Sequence, residues 1–462
     1  MLGILDRFSA FLHLSKEETK KILWLSVSFF CVIGAYTILK EMKDSLFVTL
    51  AAVESMHLVK LTSLLVLVPA TLLYARLVDV MKRSRLIWFY VILYSVVGLI
   101  ITLLLPNASF GLLSPAGSFG RTVFGWFIYL FYEGANPFVV SLFWSYANSI
   151  TPPQSAKNGY AIMISGSKLG GMTTAGTAWL LFSYSSSHQS FTDVMVYQCL
   201  LGGASLLLLV APYIIYQLHQ SMPEESMHGY EAAYKADQSK TVNNKKTGIL
   251  SGLKMFAEHP YIFGIFGMIF FYELINVILA VQRLAILQGG AKSLSGFNES
   301  LFLQRFTMHA IGIMISFFGT RVLISRLGER ICLLLIPIFM SVLLFYFMIS
   351  YNEQAVLIVF MALGIINYAF SSPLRESLYI PTVRDIRFKS KAWIDSFGTK
   401  FSKGFGVTII GVVNYFNILG TPLFATVYSI IFTVICSLWI ILAYFLGKKF
   451  ENLVKTNKVI GS

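Results

Sequence analysis

Residues Ile394–Leu419 read IDSFGTKFSKGFGVTIIGVVNYFNIL, a mostly apolar run long enough to cross a bilayer as one helix, for which about 20 residues suffice. Its first turns nevertheless carry Lys400 and Lys403, which the three-residue spacing puts on one helical face. An isolated cation at the centre of a bilayer costs roughly 3 kcal/mol or more. Two on one stripe therefore predict a water-filled or protein-lined cavity that receives an anion. Just upstream, Arg384, Arg387, Lys389 and Lys391 make the approach to this helix strongly basic.

The rest of the chain has the same character. Of its 462 residues 56% are hydrophobic and only 13% charged, which with apolar runs recurring throughout predicts an all-α polytopic membrane protein. The formal charge of +14 does not imply nucleic acid as a partner, because the basic residues sit in short segments between apolar runs, where topology signals lie. Cys31, Cys199, Cys332 and Cys436 are far apart and each falls in an apolar run, so they read as small core hydrophobes rather than as metal ligands or disulfides. The first residues lack the short apolar stretch and cleavage site of a secretory signal, which leaves targeting to the first membrane helix.

Runs of spanning length fall near 22–48, 58–80, 86–106, 121–150, 158–183, 195–217, 258–288, 300–325, 329–350, 354–380, 394–419 and 422–447, so twelve transmembrane helices are expected. Basic residues fill alternate connections, which puts both termini in the cytoplasm. The long polar connection after the sixth helix divides the chain into a six-helix bundle over 1–217, a cytoplasmic linker over 218–257 and a second six-helix bundle over 258–462. Weak internal repetition agrees. Arg76 and Arg85 recur as Arg321 and Arg330, both 245 residues on, and Tyr132, Pro137, Ser141 and Leu142 recur as Tyr368, Pro373, Ser377 and Leu378, 236 residues on. Six plus six with duplication is the major-facilitator architecture, whose binding site lies between the halves. Asp79, Arg83 and Arg85, with Arg326 and Arg330 in the second half, resemble that superfamily's loop signature and are read as gating residues.

Several charges lie inside helices. The first helix ends YTILKEMKDSLFVT, where Lys40 and Asp44 are spaced to pair at i, i+4, leaving Lys43 freer to line a cavity. Glu133 in the fourth helix, beside Gly134 and Pro137, and Glu273 in the seventh are carboxylates amid apolar sequence. Each must be neutral, paired with a cation, or alternate between those states as a coupling group. Arg305 and His309 share a face of the eighth helix, and the arginine can fork onto phosphate. Lys168 stands among glycines in ISGSKLGGMTTAG, where close helix packing accounts for the glycines but not for the lysine. Arg375 is placed to neutralise Glu376 at the end of the tenth helix. Many cations against few carboxylates suit a small phosphorylated anion. No P-loop, GxSxG, triad order or zinc spacing is present, so translocation rather than catalysis is expected, with no metal and no cofactor.

A set of segments carries a resemblance. YTILKEMKDSLFVT, LVKLTSLLVLVPATLLYARLVDV, FYEGANPFVVSLFWSYANSIT followed by AKNGY, FFYELINV, and PLRESLYIPTVRDIRFKSKAWIDSFGTKFSKG resemble the bacterial and plastid ATP/ADP antiporters, from the first helix to the eleventh. The combination of FWSYANSIT with LYIP and KAWID carries most of the specificity. By that resemblance Lys43, Glu133, Glu273 and the KSKAWID lysines, including Lys391, fall at or near positions important for exchange, and Lys400 and Lys403 match basic positions. Departures are Asn158 in place of a basic residue, Asn276 and Val277 in place of a tryptophan-lysine pair, and Gly404–Phe405 in place of a glycine pair.

The sequence thus predicts an alternating-access transporter of nucleotides, by ATP/ADP-type exchange or import, or of a closely similar phosphorylated anion, in a bacterial inner membrane and compatible with a monomer. Its solute site would draw on Lys40, Lys43, Lys168, Arg305, Arg375, Lys391, Lys400, Lys403 and Asn276, with Glu133, Glu273 and His309 for coupling and charge balance. The alternative is a proton-coupled symporter of another phosphorylated metabolite, such as NAD or a sugar or inositol phosphate. A membrane phosphotransferase or scramblase, and a non-transporting receptor, are competing classes.

Overall fold

The computed structural model describes residues 9, 14–81, 83–151, 153–188, 192–223, 227, 259–318, 320–350, 352–379, 381–382, 394, 398–416, 422–456 and 460. Among these, helices account for nearly all regular structure. They are α1 (Lys16–Leu50), α2 (Met56–Val80), α3 (Arg83–Leu104), α4 (Phe119–Glu133, then Asn136–Val140 and Ser141–Ile150), α5 (Pro153–Ser187) and α6 (Asp193–Ser221). There follow α7 (Pro260–Gly290), α8 (Leu294–Phe318), α9 (Thr320–Ser350), α10 (Glu353–Ile366, then Asn367–Ser371 and Ser372–Leu378), α11 (Thr399–Tyr415) and α12 (Pro422–Lys455). Hydropathy predicts twelve spans, and the described residues form twelve helices. Among the described residues six helices contain stretches long and apolar enough to cross a membrane, within α1, α3, α6, α7, α9 and α12.

The fourth helix of each sequence half is broken by a five-residue π segment, Asn136–Val140 in α4 and Asn367–Ser371 in α10. Pro137 lies inside the first, and Pro373 follows the second. A proline removes one backbone donor and clashes with the carbonyl four residues back, so a widened turn is the local solution. The repeat read in the sequence thus marks a matching irregularity in the backbone.

Two compact units divide the chain. One gathers Met1–Ser55, Leu65–Asn244 and Ala291–Ala310; the other gathers Met56–Leu64, Lys245–Gly290 and Ile311–Ser462. The boundary runs through α2 and α8 rather than between helices. The start of α8 is held in the first unit by a buried network. Asn298 accepts from Ser45 Oγ at 2.5 Å and donates to Tyr197 Oη at 2.7 Å, while Ser295 Oγ donates to the Asp193 carboxylate. Phe302 stacks on Phe182 and Phe306 on Trp179, completing the seam. Because these polar residues lower the local hydropathy, α8 begins six residues before the predicted start at 300.

In the first unit, α1 packs on α5 through small residues. A Cβ on Gly170 would stand 2.2 Å from the carbonyl oxygen of Phe30, and one on Gly166 would stand 2.2 Å from Ser26 Oγ. Without a hydrophobic drive between helices in lipid, such backbone approach is what holds them together. Gly170→Ala is expected to cost about 1–3 kcal/mol, because a carbonyl cannot rotate away as a side chain can. Gly203→Ala, whose Cβ would meet nothing within 4 Å, should leave the melting temperature in detergent unchanged or slightly raised.

The cysteines divide. Cys31, Cys332 and Cys436 are buried as expected, but Cys199 is exposed. It lies on α6 in one stripe with Met195, Leu206 and Val210, all 42% or more exposed, an apolar face of the kind that meets lipid. The reading of all four as core residues fails there because hydropathy does not separate a lipid-facing stripe from a core-facing one.

Candidate functional site

Every charged side chain described here is placed by a helix that is otherwise apolar, so each has to be compensated locally. In the first unit Lys43 is 6% exposed. Its Nζ lies 2.6 Å from Asp44 Oδ1 and 3.0 Å from Glu133 Oε2, and 4.2 Å above the centre of the Tyr129 ring. Lys43, expected to be the freer lysine of its segment, is thus the one held by two carboxylates and an aromatic face. Successive helical residues point about 100° apart, which disfavours an Asp44 contact on backbone grounds. α4 delivers Glu133 to the Lys43 ammonium, and Asp44 lies within reach of the same point.

A second cluster in the same unit joins three helices. Arg305 of α8 forms an ion pair through Nε with Glu41 of α1, whose side chain is fully buried, and Arg305 itself is 11% exposed. One turn on, His309 lies within electrostatic range of Lys168 on α5, Lys40 on α1 and Arg305, with Glu41 as the acid among them. A Cβ on Gly171 would stand 2.6 Å from His309 Nε2, so this glycine lets the imidazole approach the α5 backbone one turn beyond Lys168. Lys40, Lys168 and His309 are half-buried, sheltered yet reachable. Lys40, Lys168, Arg305 and His309, four positions singled out separately from the sequence, thus share one neighbourhood, with Glu41 beside them.

In the second unit Lys403 Nζ lies 3.8 Å from Glu273 Oε2, and Asn276 Nδ2 donates to the same oxygen at 3.2 Å. Glu273 is 16% exposed and Lys403 43%, so the acid is the buried partner and the lysine projects outward from it. Val277, one residue beyond Asn276, packs against α11, where a Cβ on Gly406 would stand 2.3 Å from its Cγ1. Gly406 lets α11 approach α7 closely enough for Lys403 to reach Glu273. Lys400 is half-buried in the first turn of α11, and Arg375 is half-buried in the last segment of α10.

Other predicted positions sit elsewhere or lie outside what is described. Lys391, with the basic run from Arg384, is outside the described residues, as are the side chains of Asp79, Arg83, Arg321 and Glu376. Most of the 218–257 linker is outside as well. Arg85 is exposed in the first turn of α3, and Arg326 is exposed within α9 two residues before Gly328. Arg330 pairs with Glu451 of α12 at 2.9 Å and lies 5.5 Å from the centre of the Tyr444 ring, two residues after Gly328 turns the chain with φ 74°. No group of three or more metal-ligating side chains occurs among the described residues.

Sequence reading missed two features. Glu41 stands between the two lysines of KEMKD and was passed over, although the test applied to Glu133 and Glu273, an acid amid apolar helix, identifies it. Asn298 fell outside the predicted helix because α8 starts with polar residues.

Comparison with known proteins is consistent across the chain. The family described as TLC ATP/ADP transporter matches residues 5–450. ADP,ATP carrier protein 3 of Rickettsia felis is 26% identical, with 96% of this chain and 97% of that protein aligned. ADP,ATP carrier protein 1 of Rickettsia prowazekii is 24% identical over 96% of each. Among solved structures, a bacterial homologue of the iron transporter ferroportin in an inward-facing state superposes with a TM-score of 0.60 at 13% identity, covering 93% of this chain and 98% of that one. The major-facilitator proton:xylose symporter XylE gives 0.58 at 14% identity, over 96% of both chains. These likenesses assign the major-facilitator fold. The match to the family over nearly the whole length then settles membership: this chain belongs to the TLC ATP/ADP transporter family.

Proposed function

We propose that this integral membrane protein is an alternating-access carrier of nucleotides or closely similar phosphorylated anions. It is a transporter rather than an enzyme, as its family is one of carriers. The observation that carries the solute class is the convergence of Lys40, Lys168 and Arg305 around His309, with Glu41 as the acid in the cluster. Lysine and arginine side chains from three helices are the donor types that a di- or triphosphate takes. The relatives named as ADP,ATP carriers support a nucleotide in particular.

In this reading Lys40, Lys43, Lys168, Arg305, Lys400 and Lys403 attract phosphate, Arg375, Lys391 and Asn276 contribute to solute binding, and Glu133, Glu273 and His309 balance charge. Asp79, Arg83, Arg85, Arg326 and Arg330 act in gating. The halves are 1–217 and 258–462, joined by 218–257, and the chain sits in a bacterial inner membrane with both termini cytoplasmic, as the distribution of basic loops supports. The pairing of candidate cations with carboxylates favours one second reading. A phosphate that displaces Glu41 or Glu273 from its partner leaves an acid that is relieved by taking up a proton, which makes the carrier a symporter.

Radiolabelled ATP or ADP uptake into proteoliposomes tests both readings. Uptake that depends on internal nucleotide identifies exchange, and uptake accelerated by external acid identifies symport. No flux of any nucleotide, NAD or sugar phosphate under either condition overturns the proposal. Lys403→Gln is expected to weaken nucleotide affinity about tenfold while the protein stays folded, because Glu273 retains Asn276 as a donor; unchanged affinity and uptake remove Lys403 from the site.

A further inference from the structure

The second unit contains a groove that the solute cannot use. It has a volume of about 630 Å³ and an apolar lining throughout, between α7, α11 and α12. That volume is within the range of about 300–1,000 Å³ typical of small-molecule sites, yet no charged or hydroxyl-bearing side chain lines it. A phosphorylated anion gains nothing there, and neither does water. The groove is open on one side: Phe263, Phe401, Leu438, Ile441 and Phe445 are each between 50% and 63% exposed. On a membrane protein that opening faces hydrocarbon, so the matching occupant is an alkyl chain.

One end of the groove carries charge. On α12 the lining residues are Leu438, Ile441, Leu442 and Phe445, spaced i, i+3, i+4 and i+7. Extended by three and four residues, the same stripe reaches Lys448 and Lys449, both exposed. The antiparallel neighbour α7 fixes the level. A Cβ on Gly267 would touch Leu442 Cδ2 at 2.5 Å, and one on Gly264 would stand 3.0 Å from Leu446 Cδ1, so the lysines lie level with the first turn of α7 at Pro260. The groove therefore runs from the middle of the helices toward their ends, and the α12 stripe that lines it continues to Lys448 and Lys449. Basic residues at a cytoplasmic helix end are worth roughly a severalfold gain in anionic-lipid affinity each.

We propose that this groove is a binding site for one anionic phospholipid, its acyl chain against the phenylalanines of α7 and α11 and its phosphate headgroup on Lys448 and Lys449. Neither half of the site suffices alone. A neutral lipid leaves the lysines unmatched, and a soluble phosphate leaves the apolar surface uncovered.

Native mass spectrometry of the purified full-length chain, titrated with phosphatidylglycerol or phosphatidylcholine, tests this. Phosphatidylglycerol is expected to bind about tenfold more tightly than phosphatidylcholine. Lys448→Gln with Lys449→Gln should abolish that preference while leaving phosphatidylcholine binding unchanged. Ile441→Trp, which fills the groove from an exposed position, should weaken both lipids; Leu438→Trp serves if the first variant fails to fold. Equal binding of the two lipids, an unchanged preference in the double lysine variant, or displacement of phosphatidylglycerol by glycerol phosphate overturns the proposal. A shift to dimers that the tryptophan variant abolishes, without any lipid adduct, does so in favour of a second copy.

Discussion

Glu41→Gln is expected to lower the stability of the unliganded carrier by about 3–5 kcal/mol and, at the same time, to enlarge the stabilisation that a nucleotide confers. The first effect follows from the ion pair. Glu41 is fully buried and Arg305 nearly so, and removing one partner of a buried pair leaves the other charge without compensation. The glutamine cannot supply the missing charge. The second effect follows from the proposed role of Glu41 as an anion that the carrier supplies to itself. When the site is empty its carboxylate compensates the cluster; when phosphate arrives, it competes. Without it, phosphate reaches Arg305 without displacing this carboxylate, and ligand stabilisation rises with affinity by mass action. Thermal unfolding in detergent, with and without ATP or ADP, reads both effects. An unchanged melting point in the absence of ligand, with an unchanged nucleotide shift, sinks this account. A fall without a larger shift leaves Glu41 structural only and removes it from the competition with solute.

The same logic marks what hydropathy and local spacing can reach. Twelve apolar runs were legible, because apolar length acts locally, and the Pro137 and Pro373 repeat marked the positions at which the fourth helix of each half widens. Single charges inside helices were legible too: Lys168, Arg305, Glu133 and Glu273 each violate the pattern around them. Partner choice was not. Lys43 takes Asp44 and Glu133 because α4 brings Glu133 to it, and no spacing within YTILKEMKDSLFVT encodes where α4 packs. Nor could the split of α8 between units be read, since Asn298 and Ser295 are ordinary polar residues until Ser45, Tyr197 and Asp193 meet them. The groove on α7, α11 and α12 was invisible for the opposite reason, as phenylalanine in a membrane helix contradicts nothing.

Lys43→Gln is expected to reduce nucleotide uptake by about 100-fold, equivalent to roughly 2.7 kcal/mol. Two effects contribute. The substitution leaves Asp44 and Glu133 facing each other without the ammonium that lies 2.6 Å from one and 3.0 Å from the other, and it removes a cation that the proposal assigns to phosphate. They separate in the double variant Lys43→Gln, Glu133→Gln. If Lys43 only balances charge, neutralising Glu133 as well restores both stability and uptake, and the double-mutant cycle gives a coupling of about 0.5–3 kcal/mol in each measurement. If Lys43 meets the solute, the cycle closes for stability but not for uptake: the double variant melts near the parent protein and still carries little nucleotide. The second outcome is the expected one, because a lysine held by two carboxylates and over the Tyr129 ring is positioned more firmly than charge balance alone requires. Parallel recovery of both quantities would return Lys43 to the scaffold and leave phosphate to Lys40, Lys168 and Arg305.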